Sequence, residues 1–120
     1  MIKLKRIYEE PARDDGFRVL VDRLWPRGVS KEKARLDLWL KEIAPESALR
    51  KWFAHDPKKW TSFQKKYREE LKNKKDLVVG LEKIIRENKN VTLLYAAKDQ
   101  DHNEVVVIKD FLEKTAGRSK

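Results

Sequence analysis

Two short apolar runs constrain the fold of this chain more than any other feature. Val91-Thr92-Leu93-Leu94-Tyr95-Ala96 and Phe17-Arg18-Val19-Leu20-Val21-Asp22 are nearly continuous in hydrophobicity rather than alternating. Strands of that kind are covered on both faces, the habit of parallel sheets whose connections lay helices against them. Between the runs the apolar spacing becomes helical. Pro45 suits a first helical position, and Leu49, Trp52 and Phe53 supply an apolar side to the turn that follows. His55-Asp56-Pro57 reads as an N-cap followed by a first-turn proline. Trp60, Phe63, Tyr67 and Leu71 then share a stripe, with Lys58, Lys65 and Lys72 opposite. Asp76 suits the cap of a third helix with a buried stripe of Leu77, Leu81, Ile84 and Ile85.

The remaining elements are shorter. Ile2 to Ile7 alternates apolar and basic residues, as a strand with one buried face does. Lys31 to Ala34 suits a helical turn, and Leu36 to Leu40 alternates as a short strand would. Val105-Val106-Val107-Ile108 is β-branched and favours a strand, yet Asn103 as a cap and Val105, Ile108 and Leu112 at helical spacing favour a helix. A strand, a polar turn and then a helix is the usual α/β unit, so a helix is expected there. The predicted fold class is therefore α/β: a single small layered domain over residues 1–114, with a mainly parallel sheet of three to four strands and helices packed on it. A frayed tail is expected over 115–120.

The chain of 120 residues has no cysteine, which excludes disulfides, thiolate metal sites and a cysteine nucleophile. The amino terminus lacks an apolar core of signal-peptide length, and no stretch approaches a membrane span, so a cytoplasmic location is expected. Net charge is +9, and Lys58 to Lys75 alone contributes +6 of it. A polyanion partner is compatible with that balance.

In parallel α/β folds ligands bind beyond the carboxyl ends of the strands. Two turns fall there. After the first apolar run come Asp22, Arg23, Trp25, Arg27 and Lys31, with Pro26 and Gly28 shaping the loop. Guanidinium forks match phosphate and carboxylate geometry, an indole offers a stacking surface, and Asp22 can accept a proton or orient an arginine. The structural alternative is an Asp–Arg brace closing the sheet end, with Trp25 in the core. After the second run comes Lys98-Asp99-Gln100-Asp101-His102-Asn103, a cation, acids, an imidazole and an amide beside a helix start. Ordinary turn chemistry and capping would use the same residues. His55-Asp56 resembles a fragment of a metal site, but only His102 remains as a further histidine, so neither metal nor cofactor is expected. The basic helix interrupts its charge with Glu69 and Glu70 and shows no aromatic residue on its charged face, as a solvated face would.

Several blocks also resemble a known family. Arg18-Val19-Leu20-Val21-Asp22-Arg23-Leu24-Trp25-Pro26-Arg27-Gly28 is similar to the signature of the YeaO-like family, domain of unknown function 488. Trp39-Leu40-Lys41-Glu42-Ile43-Ala44-Pro45, Trp52-Phe53-Ala54-His55-Asp56-Pro57 and Leu93-Leu94-Tyr95-Ala96-Ala97-Lys98-Asp99 fit in order along nearly the whole chain. The resemblance implies a small α/β domain with no activity established for the group. Broader relatives carry cysteines near the last strand and are suspected of catalysis for that reason. Tyr95 and Asn103 stand near those places here, so a thiol mechanism does not carry over. Close relatives have Asn-His-Ala where this chain has Asn103-Glu104-Val105, which removes a histidine base.

The leading expectation is a pocket for a small anionic ligand, phosphate- or nucleotide-like, with or without turnover. Arg23, Arg27 and Lys31 would hold the anion, Trp25 would stack, Asp22 would orient or accept a proton, and Lys98 with Asn103 would close the opposite wall. The alternatives are a nucleic-acid-binding or regulatory module using residues 58–75, and a scaffold for another protein. No membrane partner is expected, and the oligomeric state is left open.

Overall fold

The computed structural model describes residues 1–118 and places the two apolar runs side by side at the centre of a sheet. The strands are β1 (Ile2–Arg6), β2 (Phe17–Leu20), β3 (Leu38–Trp39) and β4 (Val91–Tyr95), in the spatial order β1-β4-β2-β3, and every pairing is parallel. β4 is flanked on both sides, pairing Ile2 to Arg6 of β1 with Val91 to Tyr95, and Phe17 to Leu20 of β2 with Val91 to Leu94. All five of its residues are buried, which accounts for its unbroken apolar run. The α/β class with a parallel sheet is as expected.

The helices are α1 (Lys31–Ala34), α2 (Ser47–Phe53), α3 (Trp60–Lys72), α4 (Lys75–Glu87) and α5 (Glu104–Arg118). The longer ones cover one face of the sheet. There Val19, Val21, Leu93 and Tyr95 pack with Phe53, Phe63, Tyr67, Leu81 and Ile108 in one continuous core. The other face is closed by Ala34 of α1 and by Trp25, Val29, Leu36 and Trp39 over Ile7, Leu20 and Leu94. Trp25 and Trp39 meet edge to face with ring centroids 5.3 Å apart.

Local signals explain most element boundaries. Asp56 accepts a hydrogen bond from the Lys58 amide, and Pro57 opens the 3-10 turn Pro57–Lys59 that leads into α3. Asn103 caps α5 by accepting from Val106 N, so the contested valine run is helix. Two expectations are corrected. Pro45 lies two residues before α2 rather than in its first turn, because Ile43 and Ala44 are still closing the 3-10 turn Lys41–Ile43. Asp76 does not cap α4. The helix begins one residue earlier, at Lys75, with no side-chain cap, and Asp76 sits inside the first turn, where its negative charge still complements the helix end. The tail expected to fray from Thr115 overlaps the last turn of α5, and Ser119 and Lys120 lie outside the described residues. Among the described residues no helix is long and apolar enough to cross a membrane.

The amino-terminal end of the sheet is braced by buried charge. Asp15 is fully buried, and its carboxylate accepts from Arg18, Lys3, Lys5 and the Ala12 amide. Arg18, also buried, further donates to the Ala34 and Arg35 carbonyls and so ties α1 to β2. With those groups spent on the amino end, the carboxyl ends of β2 and β4 are left as the open side of the sheet.

Candidate functional site

Because β2 and β4 are adjacent and parallel, the turns that leave their carboxyl ends emerge together. Val21 continues past β2, donating its amide to the Leu94 carbonyl. Asp22 then joins the two turns directly, its Oδ2 accepting from the Ala96 amide at 2.8 Å. Its carbonyl accepts the Trp39 indole N–H at 2.7 Å, which fixes β3 to the same corner. Over this junction lies a cleft of roughly 610 Å³, within the range of small-molecule sites. Its walls come from residues 22–27, from Ala44, Pro45 and Arg50, from Phe53, His55 and Phe63, and from residues 96–99 and 102–104.

The expected site residues divide by what the fold does with them. Asp22, Arg23, Trp25, Arg27, Lys98 and Asn103 all line the cleft. Arg27 and Lys98 are exposed, and neither side chain has a partner among the described residues. Arg23 is different. Its guanidinium donates to the Ala44 carbonyl at 3.0 Å and the Pro45 carbonyl at 3.3 Å and lies 3.6 Å from Glu46. It braces the chain before α2 through backbone carbonyls and Glu46, not through Asp22 as an Asp–Arg brace would. Asn103 is buried with its amide committed, Nδ2 donating to the Asp99 carbonyl while Oδ1 caps α5. Trp25 is half-buried and donates its indole N–H to Val29 O at 2.7 Å, so it serves core and cleft together. Lys31 opens α1 and lies outside the cleft. Ser30, capping α1 through the Lys33 amide, sets the helix direction that puts Lys31 there.

Three further contributors join them, of which His102 was named only as part of its turn and Arg50 and Glu104 were not expected in the site. Arg50 of α2 reaches the cleft and carries no partner among the described residues. His102 lines it too, its Nδ1 2.9 Å from Asp99 Oδ2 and its ring edge-on to Trp60. The Asp101 amide, the His102 ring and the His102 amide together hold the Asp99 carboxyl below its ordinary range, despite some desolvation. The third is Glu104, the first residue of α5. Burial pushes its carboxyl well above the usual carboxylate range, and the Asp22 carboxyl, close enough to share a hydrogen bond, pushes it further. Its Oε1 is buried with no partner of its own. That oxygen and the neighbouring Asp22 carboxyl together form the floor of the cleft. No signal in the sequence pairs residues 22 and 104; only the adjacency of β2 and β4 does.

The lining residues include no serine, threonine, cysteine or tyrosine to act as a nucleophile, and among the described residues no group of three or more His, Cys, Asp or Glu is placed to hold a metal. The family description that matches residues 1–120 is the Inactive DUF488-N3 subclade. The chain belongs to that subclade. It is 40% identical over 111 residues to the Escherichia coli K12 protein called uncharacterized protein YeaO, covering 92% of this chain and 96% of the relative. It is also 44% identical over 70 residues, 58% of this chain and 59% of the relative, to the uncharacterized protein Mb3100c of Mycobacterium bovis. The same figures hold for Rv3073c of Mycobacterium tuberculosis. No solved structure matches the chain.

Proposed function

We propose that the cleft binds a small anionic molecule, phosphate- or nucleotide-like, and holds it without chemical turnover, in the cytoplasm. One observation carries this reading: Arg27 from the turn after β2, Lys98 from the turn after β4 and Arg50 from α2 converge on a single cleft with their charges uncompensated. Three cations with no side-chain partner among the described residues favour an anion at the mouth of the cleft, since charge-assisted hydrogen bonds exceed neutral ones. The subclade's description as inactive supports binding over catalysis. Thermal-shift titration with inorganic phosphate and with AMP tests it. The melting temperature should rise with either, and the rise should shrink in Arg27→Ala. No response of the wild-type protein to any phosphate would contradict the proposal.

A second reading, binding of a single-stranded nucleic acid, gains one specific observation. Trp52 is 39% exposed, and the ammonium groups of Lys59 and Lys66 lie 5.1 and 5.3 Å from its ring centroid. The charged face of α3 therefore does carry an aromatic residue, lent to it by α2, contrary to what periodicity within one helix indicates.

A further inference from the structure

We infer that the floor of the cleft, where Asp22 and Glu104 meet, is a subsite for a hydrogen-bond-donating nitrogen, so that the ligand points an amino or amidinium group inward and its anionic group outward. The inference rests on the small-anion reading for the outer half of the site and names what the inner half recognises.

The floor is negative and lacks a counter-ion. Neither Asp22 nor Glu104 forms an ion pair among the described residues, and the arginine nearest in sequence, Arg23, is turned toward Ala44, Pro45 and Glu46. The two carboxyls stand within hydrogen-bond reach of each other with no cation paired to either among the described residues. Asp22 is already occupied by the Ala96 amide, while Glu104 both lines the cleft and holds a buried oxygen with no donor. An unpaired buried acceptor is costly, and a ligand N–H placed beside the pair removes that cost. The same cleft is lined by Ala44, Pro45, Phe53, Phe63 and Ala96, whose low polarity strengthens charge contacts made within it.

The same features exclude an anion from the floor. A phosphate set against the carboxyl pair would face like charge in an apolar setting, so it must lie outward, toward Arg27, Arg50 and Lys98. The cleft is thus polarised, with acid inside and cations at the mouth. A molecule with the opposite polarity, a nitrogen donor at one end and a phosphate or carboxylate at the other, satisfies both ends together.

Three probes separate the two halves in amide chemical-shift titrations at neutral pH: inorganic phosphate, ethylammonium and O-phosphoethanolamine. Inorganic phosphate should move the Arg27 and Lys98 amides. Ethylammonium, which has no anionic group, should move those of Ala96 and Glu104. O-phosphoethanolamine should move both sets and bind about tenfold more tightly than inorganic phosphate. The double variant Asp22→Asn/Glu104→Gln, which removes the floor's charge while keeping its shape, should lose that tenfold advantage and keep phosphate binding. Should the variant fail to fold, the ethylammonium shifts of the wild-type protein decide the matter alone. If phosphate binds at the mouth but ethylammonium leaves Ala96 and Glu104 unmoved, the nitrogen subsite is refuted and the anion site stands. If phosphate binds nowhere while ethylammonium moves the floor, the reverse holds.

Discussion

Gly16 and Asp15 show how single residues set the closed end of this sheet. Gly16 has φ of +64°, and a Cβ built there would fall 2.1 Å from the Asn90 carbonyl oxygen, an atom already bonded to the Phe17 amide. Backbone cannot yield as a flexible side chain does. Gly16→Ala should therefore destabilise the protein by about 2–4 kcal/mol, combining left-handed strain with a forced shift of the loop before β4; a change under about 0.5 kcal/mol in chemical denaturation would contradict this geometry. At Asp15 burial pushes the carboxyl up, but the Ala12 amide, Lys3 and Lys5 outweigh it and hold it at about 2. A folded value below the ordinary 3.8 means stability that is present above that value and lost as pH falls toward 2. The loss attributable to this group is about 2 kcal/mol. Urea unfolding between pH 5 and pH 2.5 measures it, and Asp15→Asn should flatten the slope while lowering stability throughout, because buried Arg18 loses its partner. Equal slopes in the two proteins would show that Asp15 is not held by these contacts.

At the scale of elements, what could be read from the chain was what each element states about itself. The unbroken hydrophobicity of residues 91–95 means a strand walled on both sides, and Asn103 with Val105, Ile108 and Leu112 means a helix despite the β-branched run. Asp56-Pro57 marks a helical start because both residues act within one turn. What could not be read depends on two elements at once. Arg23 and Arg27 are near neighbours with the same chemistry, yet one braces the carbonyls before α2 and the other has no side-chain partner among the described residues. Only the path of residues 44–46 separates them. Trp52 belongs to α2 by sequence and to the basic surface of α3 by packing. That surface makes its own prediction. If it binds single-stranded nucleic acid, a fluorescein-labelled oligonucleotide should bind at low salt, weaken steeply as salt rises, and weaken further in Trp52→Ala. Binding indifferent to Trp52 would leave only a solvated cationic face.

For the whole molecule, the strand order β1-β4-β2-β3 decides where chemistry can occur. It sets the last strand beside the second, so that turns far apart in sequence share a wall, and the buried Asp15–Arg18 brace leaves the opposite end of the sheet for the site. The position of the cleft beyond the strand ends was legible from the fold class alone. Its polarity was not, because Glu104 enters only as the first residue of the helix that follows β4 and meets Asp22 across the sheet. The central claim is that the turns after β2 and β4 grip one anion together. Isothermal titration of AMP into the wild-type protein, Arg27→Ala and Lys98→Ala tests it most directly. Each substitution should weaken binding about fivefold or more, the loss of one charge-assisted contact. Affinity unchanged in either variant would mean that the two turns, though adjacent, do not form one site.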